Sequence, residues 1–202
     1  MATRVLLLQH GEKRRTAGDP VLTSRGRAQA EAAARLLTRL HPVALVSSPL
    51  ARARETIAPL SDALGLDVDI DLRLRERMNL DAGESVEEFV RAWSRSSTER
   101  SWSPPRGRSS CSTARDMMRA VESHAVDGSV VVLATHGGAT IDLLRSVLGD
   151  DELERRAPAL IQQGVPGGAV TSLVPSDGSW AVHTIADDSH VPGGQNSGHA
   201  PA

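Results

Sequence analysis

The chain has 202 residues, 40% of them hydrophobic and 24% charged, a composition typical of a soluble globular protein with one ordinary domain. A formal net charge of −2 argues against a nucleic-acid partner, which would require a basic excess. Because Cys111 is the single cysteine, the chain can form neither an internal disulfide nor a cysteine cluster for zinc. No apolar run approaches the ~18 residues of a membrane span. We therefore expect a cytoplasmic protein without a nucleic-acid or membrane partner.

The first predicted strand ends in a histidine. Residues 5–8 are an apolar run, and Gln9, His10 and Gly11 follow it directly. This pattern is typical of a buried parallel strand that delivers a reactive side chain to the edge of a sheet. His10 is therefore our candidate nucleophile.

A basic loop and two helices are predicted next. Residues 12–21 contain Gly-Asp-Pro and are predicted to form a loop, and the helix after it has Thr23 as its N-cap. A short strand over 43–46 leads into Ser-Ser-Pro, which predicts the start of a second helix. Arg52 lies in the first turn of that helix, where backbone N–H groups and the helix dipole favour an anion. We predict that Arg52 completes a phosphate site there.

The middle of the chain carries a glutamate and the least regular segment. A third short strand precedes Glu76, which sits among three arginines. Residues 85–93 are amphipathic, and we expect the apolar face of this helix, with Phe89 and Trp93, to pack in the core rather than against substrate. Residues 94–112 are rich in Ser, Arg and Pro and are predicted to form an irregular surface loop or lid.

The pattern of a strand that ends in histidine occurs a second time. After a helix over 113–125, the apolar strand over 129–135 is followed by His136, Gly137 and a helix over 138–148. In an open α/β sheet the ligand crevice lies outside the carboxyl ends of the parallel strands. Histidines at two such ends can therefore meet in one pocket although they are far apart in the chain.

The remaining elements complete a single domain over residues 1–186. A helix over 150–160 and a hairpin around Asp177-Gly178 are predicted, and the polar residues 187–202 are expected to form a disordered tail. Alternating strands and helices predict an α/β fold with a mostly parallel central sheet.

In this order the motifs resemble the histidine phosphatase superfamily, also called phosphoglycerate mutase-like. The resemblance covers roughly residues 4–185. It rests on these segments: Leu8-Gln9-His10-Gly11-Glu12, Leu22-Thr23 through Gly26 to Gln29-Ala30, Ser47-Ser48-Pro49-Leu50 with Arg52-Ala53 and Thr56, Leu74-Arg75-Glu76-Arg77, and His136-Gly137-Gly138. Such a resemblance implies a three-layer α-β-α sandwich and a metal-independent phosphatase of the compact branch, with no cofactor.

For single residues the resemblance implies a mechanism in two steps. His10 would attack phosphorus to form a phosphohistidine, and Glu76 would protonate the leaving oxygen and later activate water. Arg52 and His136 would hold the phosphoryl oxygens. Further contacts with the substrate are expected from residues around them: Gln9, Gly11, Lys13, Thr16 and Gly137.

Gln9 departs from the family pattern, in which an arginine precedes the nucleophile and helps to clamp the phosphate. Glutamine brings neither the charge nor the donor fork of a guanidinium. Because charge-assisted hydrogen bonds are roughly twice as strong as neutral ones, an uncompensated loss weakens phosphate binding by about 1–3 kcal/mol. We hypothesise that Lys13, Arg14 or Arg15 of the adjacent loop supplies the missing charge.

Two alternatives stand beside a phosphatase that acts on a small-molecule phosphomonoester or on a phosphoprotein such as a phosphohistidine protein. A phosphomutase is disfavoured because the family's mutases are longer and carry Glu-Ser-x-Trp-Asn after the histidine motif, where this chain has Glu12-Lys13-Arg14-Arg15-Thr16. A non-catalytic sensor or binding protein for a phosphorylated ligand would explain Gln9, but it would not need Glu76 as a general acid. The oligomeric state and the physiological substrate do not follow from the sequence.

Overall fold

A six-stranded sheet organises the chain in the computed structural model, which describes residues 2–193. Its strands are β1 (Arg4–Gln9), β2 (Ala44–Ser47), β3 (Val68–Ile70), β4 (Val130–Thr135), β5 (Val170–Ser176) and β6 (Ser179–Asp187). In space they lie in the order β3-β2-β4-β1-β5-β6. Strands β3, β2, β4 and β1 run parallel to one another, whereas β5 pairs antiparallel with β1 and with β6. The predicted mostly parallel sheet is confirmed.

Helices cover both faces of this sheet. In chain order the helices of the described residues are α1 (Ser24–Thr38), α2 (Ala51–Leu64), α3 (Val86–Thr98), α4 (Ser110–His124), α5 (Gly137–Leu148), α6 (Asp150–Arg156) and α7 (Leu160–Gln163). A 3-10 turn at Leu72–Leu74 connects β3 to the loop that carries Glu76. Between residues 2 and 193, no helix is both long and apolar enough to cross a bilayer.

Alternation along β1 divides the core into two halves. Leu6 and Leu8 point to the side of α1 and α2, where Leu37 is fully buried with them. Val5 and Leu7 point to the other side, which α4 and α5 cover. Because successive side chains of a strand face opposite ways, an apolar run must be buried on both faces. The three-layer α-β-α sandwich is confirmed.

The register between β1 and β4 brings the two predicted strand ends together. Gln9 lies opposite Thr135 in this parallel pair, so His10 and His136 both leave the sheet at the same edge. Parallel neighbours are about 4.8 Å apart, which is close enough for two imidazoles to share a site. The sheet register therefore places both histidines in one site.

The predicted irregular segment 94–112 is wrong at both of its ends. Residues 94–98 continue α3, whose last turn is stabilised by an ion pair of Arg95 with Glu99 at 3.0 Å. Residues 110–112 already belong to α4, because Ser109 caps it by accepting the N–H of Ser112 at 3.1 Å. Only the residues between these two helices are irregular.

The expected core packing of α3 is also wrong. Ser96 is the buried side chain of this helix, whereas Val86 is 62% and Val90 57% exposed. Phe89 and Trp93 are only half-buried, with ring centroids 6.0 Å apart. The amphipathic pattern predicted the helix but not its partner, because the apolar side chains of α3 remain partly or mostly exposed.

The end of the chain is more ordered than its composition predicts. The Asp177-Gly178 hairpin is confirmed, with positive φ at both residues, as a tight type I′ turn requires. Beyond it β6 continues to Asp187, and Val191 is buried. His190 Nε2 donates to the carbonyl of Gly168 at 3.0 Å. The rest of the predicted disordered tail, residues 194–202, lies outside the described part of the chain.

Candidate active site

His10 stands at the carboxyl end of β1 as a neutral imidazole. Its Nδ1 lies 2.7 Å from the carbonyl oxygen of Gly11, and since a carbonyl only accepts, Nδ1 carries the proton. Burial lowers the pKa of His10 to about 4, with further lowering by the positive charges of Arg52 and Lys13. At neutral pH the Nε2 atom therefore has a free lone pair.

His136 lies beneath His10 and is fully buried. The two ring centroids are 5.3 Å apart. Its Nε2 is 2.7 Å from the hydroxyl of Ser48, while within residues 2–193 its Nδ1 has no hydrogen-bond partner. Burial, and then the charge of Arg52, hold the pKa of His136 well below its ordinary value. This histidine is thus a neutral hydrogen-bonding group at neutral pH.

Arg52 is 2% exposed although it carries a charge. Its guanidinium NH1 lies 3.8 Å from a carboxylate oxygen of Asp19 and 3.4 Å from Oδ1 of Asn79. Its Nε has no hydrogen-bond partner among the described residues. A buried guanidinium that is only loosely paired is a ready site for an anion.

The start of α2 differs from the prediction. The helix begins at Ala51 rather than at Pro49, and the carboxylate of Asp19 accepts the Ala51 N–H at 2.9 and 3.0 Å. An anion at a helix N-terminus is favourable, and here the protein supplies it from its own loop. The Arg52 side chain, and not this backbone N–H, is therefore the group left for a ligand.

Glu76 is held by two backbone N–H groups. Oε1 accepts from the N–H of Arg77 at 2.8 Å and Oε2 from Gly138 at 3.0 Å, in the first turn of α5. A Cβ at Gly138 would lie 2.5 Å from Glu76 Oε1 and from the Trp93 ring, so only glycine allows this approach. The turn after His136 thus positions the carboxyl group as well as the second histidine.

The basic loop folds back over α2 and closes one side of the site. Lys13 pairs with Leu22 in an isolated bridge, and Gly18 is bound by its N–H to the Leu80 carbonyl at 2.7 Å. Lys13 is half-buried, whereas Arg14 and Arg15 are exposed. Burial and the charge of Arg52 lower the pKa of Lys13.

One cleft of about 620 Å³ collects most of the predicted residues. Those that line it are His10, Lys13, Thr16, Arg52 and Glu76. The opposite wall is apolar and consists of the exposed face of α3 with the side chains of Met78 and Leu80. The other predicted residues, Gln9, Gly11, His136 and Gly137, are absent from its lining.

Gln9 and Gly11 face a smaller hollow of about 330 Å³, which shares His10 with the main cleft. The Oε1 atom of Gln9 is buried and, within residues 2–193, has no hydrogen-bond partner. At Gly11 a Cβ would collide with the carbonyl of Gly26, which gives this glycine a packing role at the start of α1. Gly137 lies beside the amide of Gln9.

Three polar residues of the site were missed by the sequence reasoning. Ser48, which the Ser-Ser-Pro pattern predicts only as part of a helix start, bonds to His136, and Asp19 and Asn79 flank the guanidinium of Arg52. Ser48 belongs to the Ser-Ser-Pro segment, so a signal was present; Asp19 and Asn79 stand in loops without a pattern. In the described part of the chain, no group of three or more His, Cys, Asp or Glu is arranged to hold a metal ion.

Comparisons with known proteins identify the family of the chain. The family model of the histidine phosphatase superfamily (branch 1) matches residues 5–188. A glucosyl-3-phosphoglycerate phosphatase of Mycolicibacterium vanbaalenii is 31% identical over 170 residues, which are 72% of this chain and 74% of that protein. A probable phosphoglycerate mutase of Shigella dysenteriae is 29% identical over 204 residues, 93% of this chain and 94% of that protein.

Solved structures show the same similarity. A mycobacterial glucosyl-3-phosphoglycerate phosphatase in complex with inorganic phosphate superposes with a TM-score of 0.72 and 27% identity, over 95% of this chain and 100% of that one. A structure titled Mycobacterial hydrolase 2 has a TM-score of 0.70 and 26% identity, over 99% of this chain and 93% of that one. Both similarities extend over nearly the whole chain, including the elements that carry the cleft.

Proposed function

The chain belongs to the histidine phosphatase superfamily and is a phosphatase, and we propose that it hydrolyses phosphomonoesters, without a metal ion, through a phosphohistidine on Nε2 of His10. The observation that carries the proposal is the state of His10: its Nδ1 proton is bound to the Gly11 carbonyl and its pKa is about 4. A neutral imidazole with Nε2 free is a nucleophile that needs no base to activate it.

The first step forms one bond and breaks one. Nε2 of His10 attacks phosphorus, the bond from phosphorus to the leaving oxygen breaks, and Glu76 gives its proton to that oxygen. In the second step the Glu76 carboxylate takes a proton from water, the water oxygen attacks phosphorus, and the P–N bond breaks. Inorganic phosphate leaves, and His10 and Glu76 return to their starting states.

Two groups would stabilise the charge on the phosphoryl oxygens. Arg52 has a buried guanidinium with a free Nε, and the Nδ1 of His136 is likewise without a partner between residues 2 and 193. Because both are already fixed in place, they can act on the transition state without reorganisation. Gln9 and Gly137 would contact the phosphoryl group by amide and backbone N–H donors. The N–H of Gly11 is already donated to the Thr56 hydroxyl at 3.0 Å, so Gly11 would serve by letting the backbone pass close to the phosphate.

Lys13 would supply the charge that Gln9 lacks, and Thr16 would contact the substrate at the rim of the cleft. Support for Lys13 comes from its position, because it is half-buried in the same cleft as His10 and its charge lowers the pKa of that histidine. Arg15 also lines the cleft but is exposed, so its charge is screened more strongly.

We place the enzyme in the cytoplasm and take a small-molecule phosphomonoester as its substrate, with a phosphoprotein as the alternative. Several relatives are named glucosyl-3-phosphoglycerate phosphatase, which supports a small phosphorylated metabolite. A phosphomutase is the second candidate, since another relative is named a probable phosphoglycerate mutase.

Phosphate release in the presence of a chelator tests the reaction. We expect wild type to hydrolyse 4-nitrophenyl phosphate at an unchanged rate in excess EDTA, and His10→Ala to lose activity by at least about 10³-fold because no nucleophile remains. Wild type that is quenched with denaturant at alkaline pH should carry radiolabelled phosphate in an alkali-stable, acid-labile bond that His10→Ala cannot form. Loss of turnover with EDTA, or label retained in His10→Ala, would contradict the proposal.

The sensor alternative predicts a different result. A binding protein would gain thermal stability from inorganic phosphate but release no phosphate from any ester, and Gln9→Arg would restore turnover. A mutase would transfer the label to a second hydroxyl of a phosphoglycerate rather than to water.

A further inference from the structure

The apolar wall of the cleft consists of side chains that the fold leaves exposed. Val86 and Val90 are more than half exposed, and both line the same cleft as His10 and Glu76. Phe89 and Trp93 lie on the same face of α3, with their rings tilted by 31° at 6.0 Å. Contiguous exposed apolar side chains inside a cleft are typical of a ligand-binding surface.

Glu76 joins this wall to the proposed chemistry. The Trp93 ring reaches the point where Glu76 Oε1 and the first turn of α5 meet, since both lie 2.5 Å from an ideal Cβ at Gly138. The guanidinium of Arg77 covers the Trp93 ring at 4.3 Å and fixes it there. Trp93 therefore stands next to the proposed acid, on the same cleft wall as the two valines, where a leaving group protonated by Glu76 would meet it.

The cations that line the cleft belong to elements other than this wall. They are Lys13, Arg15 and Arg52, which come from the basic loop and α2. Glu84 stands at the start of α3 and is bound to Arg106 at 3.0 Å. A leaving group that carries a carboxylate would thus place this charge against apolar side chains and near the carboxylates of Glu76 and Glu84. Both contacts are unfavourable.

We propose that the side chains of Val86, Phe89, Val90 and Trp93 form a subsite for an uncharged, apolar leaving group, so that the preferred substrates are phosphate monoesters of aryl-alkyl or branched-alkyl alcohols. This inference rests on the proposed phosphatase function, because it takes Glu76 as the donor to the leaving oxygen. A preference for apolar leaving groups would distinguish this chain from relatives named for glucosyl-3-phosphoglycerate, a substrate that carries a sugar and a carboxylate.

Matched substrates test the subsite. Ethyl phosphate and 2-phenylethyl phosphate have alcohol leaving groups of similar basicity, so their kcat/KM values differ mainly by contacts with the phenyl ring. We expect 2-phenylethyl phosphate to be favoured by about 10- to 100-fold, as burial of an aromatic ring implies. Glucosyl-3-phosphoglycerate should be hydrolysed no better than ethyl phosphate.

Isosteric variants locate the effect. Val86→Thr and Val90→Thr keep the shape and β-branching of valine but replace one methyl by a hydroxyl, and each should reduce the preference about 3- to 5-fold. The loss should appear in kcat/KM for 2-phenylethyl phosphate. Val43→Thr is the matched control, because Val43 is 50% exposed but lies outside the cleft.

Binding of phosphonates keeps the subsite testable without turnover. The Kd values of ethylphosphonate and 2-phenylethylphosphonate, measured by calorimetry, should show the same preference and the same response to the two variants. If turnover were absent but this preference were present, the phosphatase function would fail and the apolar subsite would stand. The subsite would be overturned if the two Kd values were equal, or if the preference were unaffected by Val86→Thr and Val90→Thr. It would also be overturned if the variants changed only the oligomeric state, measured by sedimentation.

Discussion

Arg52 and Lys13 are the positive charges that act on His10, since its neighbour Gln9 is neutral. A nearby cation disfavours the imidazolium, so each charge around His10 lowers its pKa. With Gln9 neutral, burial contributes most of the lowering to about 4, and Arg52 and Lys13 add to it. Lys13 lies in the same cleft, whereas Arg14 is exposed and outside it.

Replacement of Lys13 should move the acid limb of the pH profile. The free enzyme must have neutral His10, so kcat/KM falls as the pH drops through the pKa of about 4. In Lys13→Met the imidazolium loses one repulsion, the pKa rises, and the limb should move upward by about 0.5–1 pH unit. Profiles of kcat/KM for wild type, Lys13→Met and the control Arg14→Met check this. If the acid limb of the kcat/KM profile did not move in Lys13→Met, Lys13 would not be one of the charges that act on His10.

The loop of Glu76 and helix α5 are joined by a buried ion pair. Arg77 and Asp142 are 3% and 1% exposed, and NH1 of the arginine lies 2.9 Å from a carboxylate oxygen. Ser110 also donates to Asp142 at 2.6 Å, while burial raises the pKa of this carboxyl to about 6. Because Arg77 follows Glu76 directly and α5 begins beside His136, the pair holds the proposed acid and the second histidine in one unit.

Asp142→Asn should therefore affect both stability and chemistry. It leaves the buried guanidinium without its counter-charge, and we expect the free energy of unfolding to fall by about 3–5 kcal/mol. Glu87→Gln makes the same change in the exposed pair of Glu87 with Arg91, and should cost at most about 1 kcal/mol. Urea titrations of both variants measure these values, and equal losses would contradict the role given to the buried pair.

The same variant should lower kcat selectively. If Asp142 positions Glu76, the loss should be about 10-fold for an alkyl phosphate, whose leaving oxygen needs a proton. The loss of kcat should be small for 4-nitrophenyl phosphate, because 4-nitrophenolate leaves without being protonated. A uniform loss for both esters would indicate general damage to the fold and not a displaced acid.

For the molecule as a whole, the two buried histidines couple stability to pH. The pKa of His10 falls from its ordinary 6.5 to about 4 on folding, and burial lowers that of His136 in the same direction. The unfolded chain thus binds more protons in this range, so the fold gains stability as the pH rises from about 4 to 6.5. Asp142 acts in the opposite sense, since its pKa rises to about 6.

We expect the two histidines to outweigh this one carboxyl, so that the free energy of unfolding increases between pH 4 and 6.5. Substitution His10→Asn removes one titrating group and should reduce that slope by up to about 1.4 kcal/mol per pH unit. Denaturation curves of both proteins across this range provide the measurement. Parallel slopes would mean that His10 is not buried as a neutral base.

Much of the architecture could be predicted from local patterns. Apolar runs predicted β1 and β4, the Thr23 cap predicted α1, and Asp177-Gly178 predicted the terminal hairpin, each of which depends on neighbours in the chain. The start of α2 after its Ser-Ser-Pro segment and the limits of 94–112 were less accurate, because caps such as Ser109 compete with equally plausible serines. The strand ends also predicted that His10 and His136 would meet.

What the sequence by itself determined is most of the strands and helices, the family, and the candidate residues His10, Arg52, Glu76 and His136, since these follow from periodicity and from short motifs. The predicted helix over 150–160 is an exception, because the structure divides it into α6 and α7. Tertiary structure alone decided the rest of the site. Asp19 and Asn79 reach Arg52 from separate loops, and Ser48 turns to His136. The apolar face of α3 turned to the cleft and not to the core, because hydrophobic periodicity specifies which side chains share a face but not what that face meets.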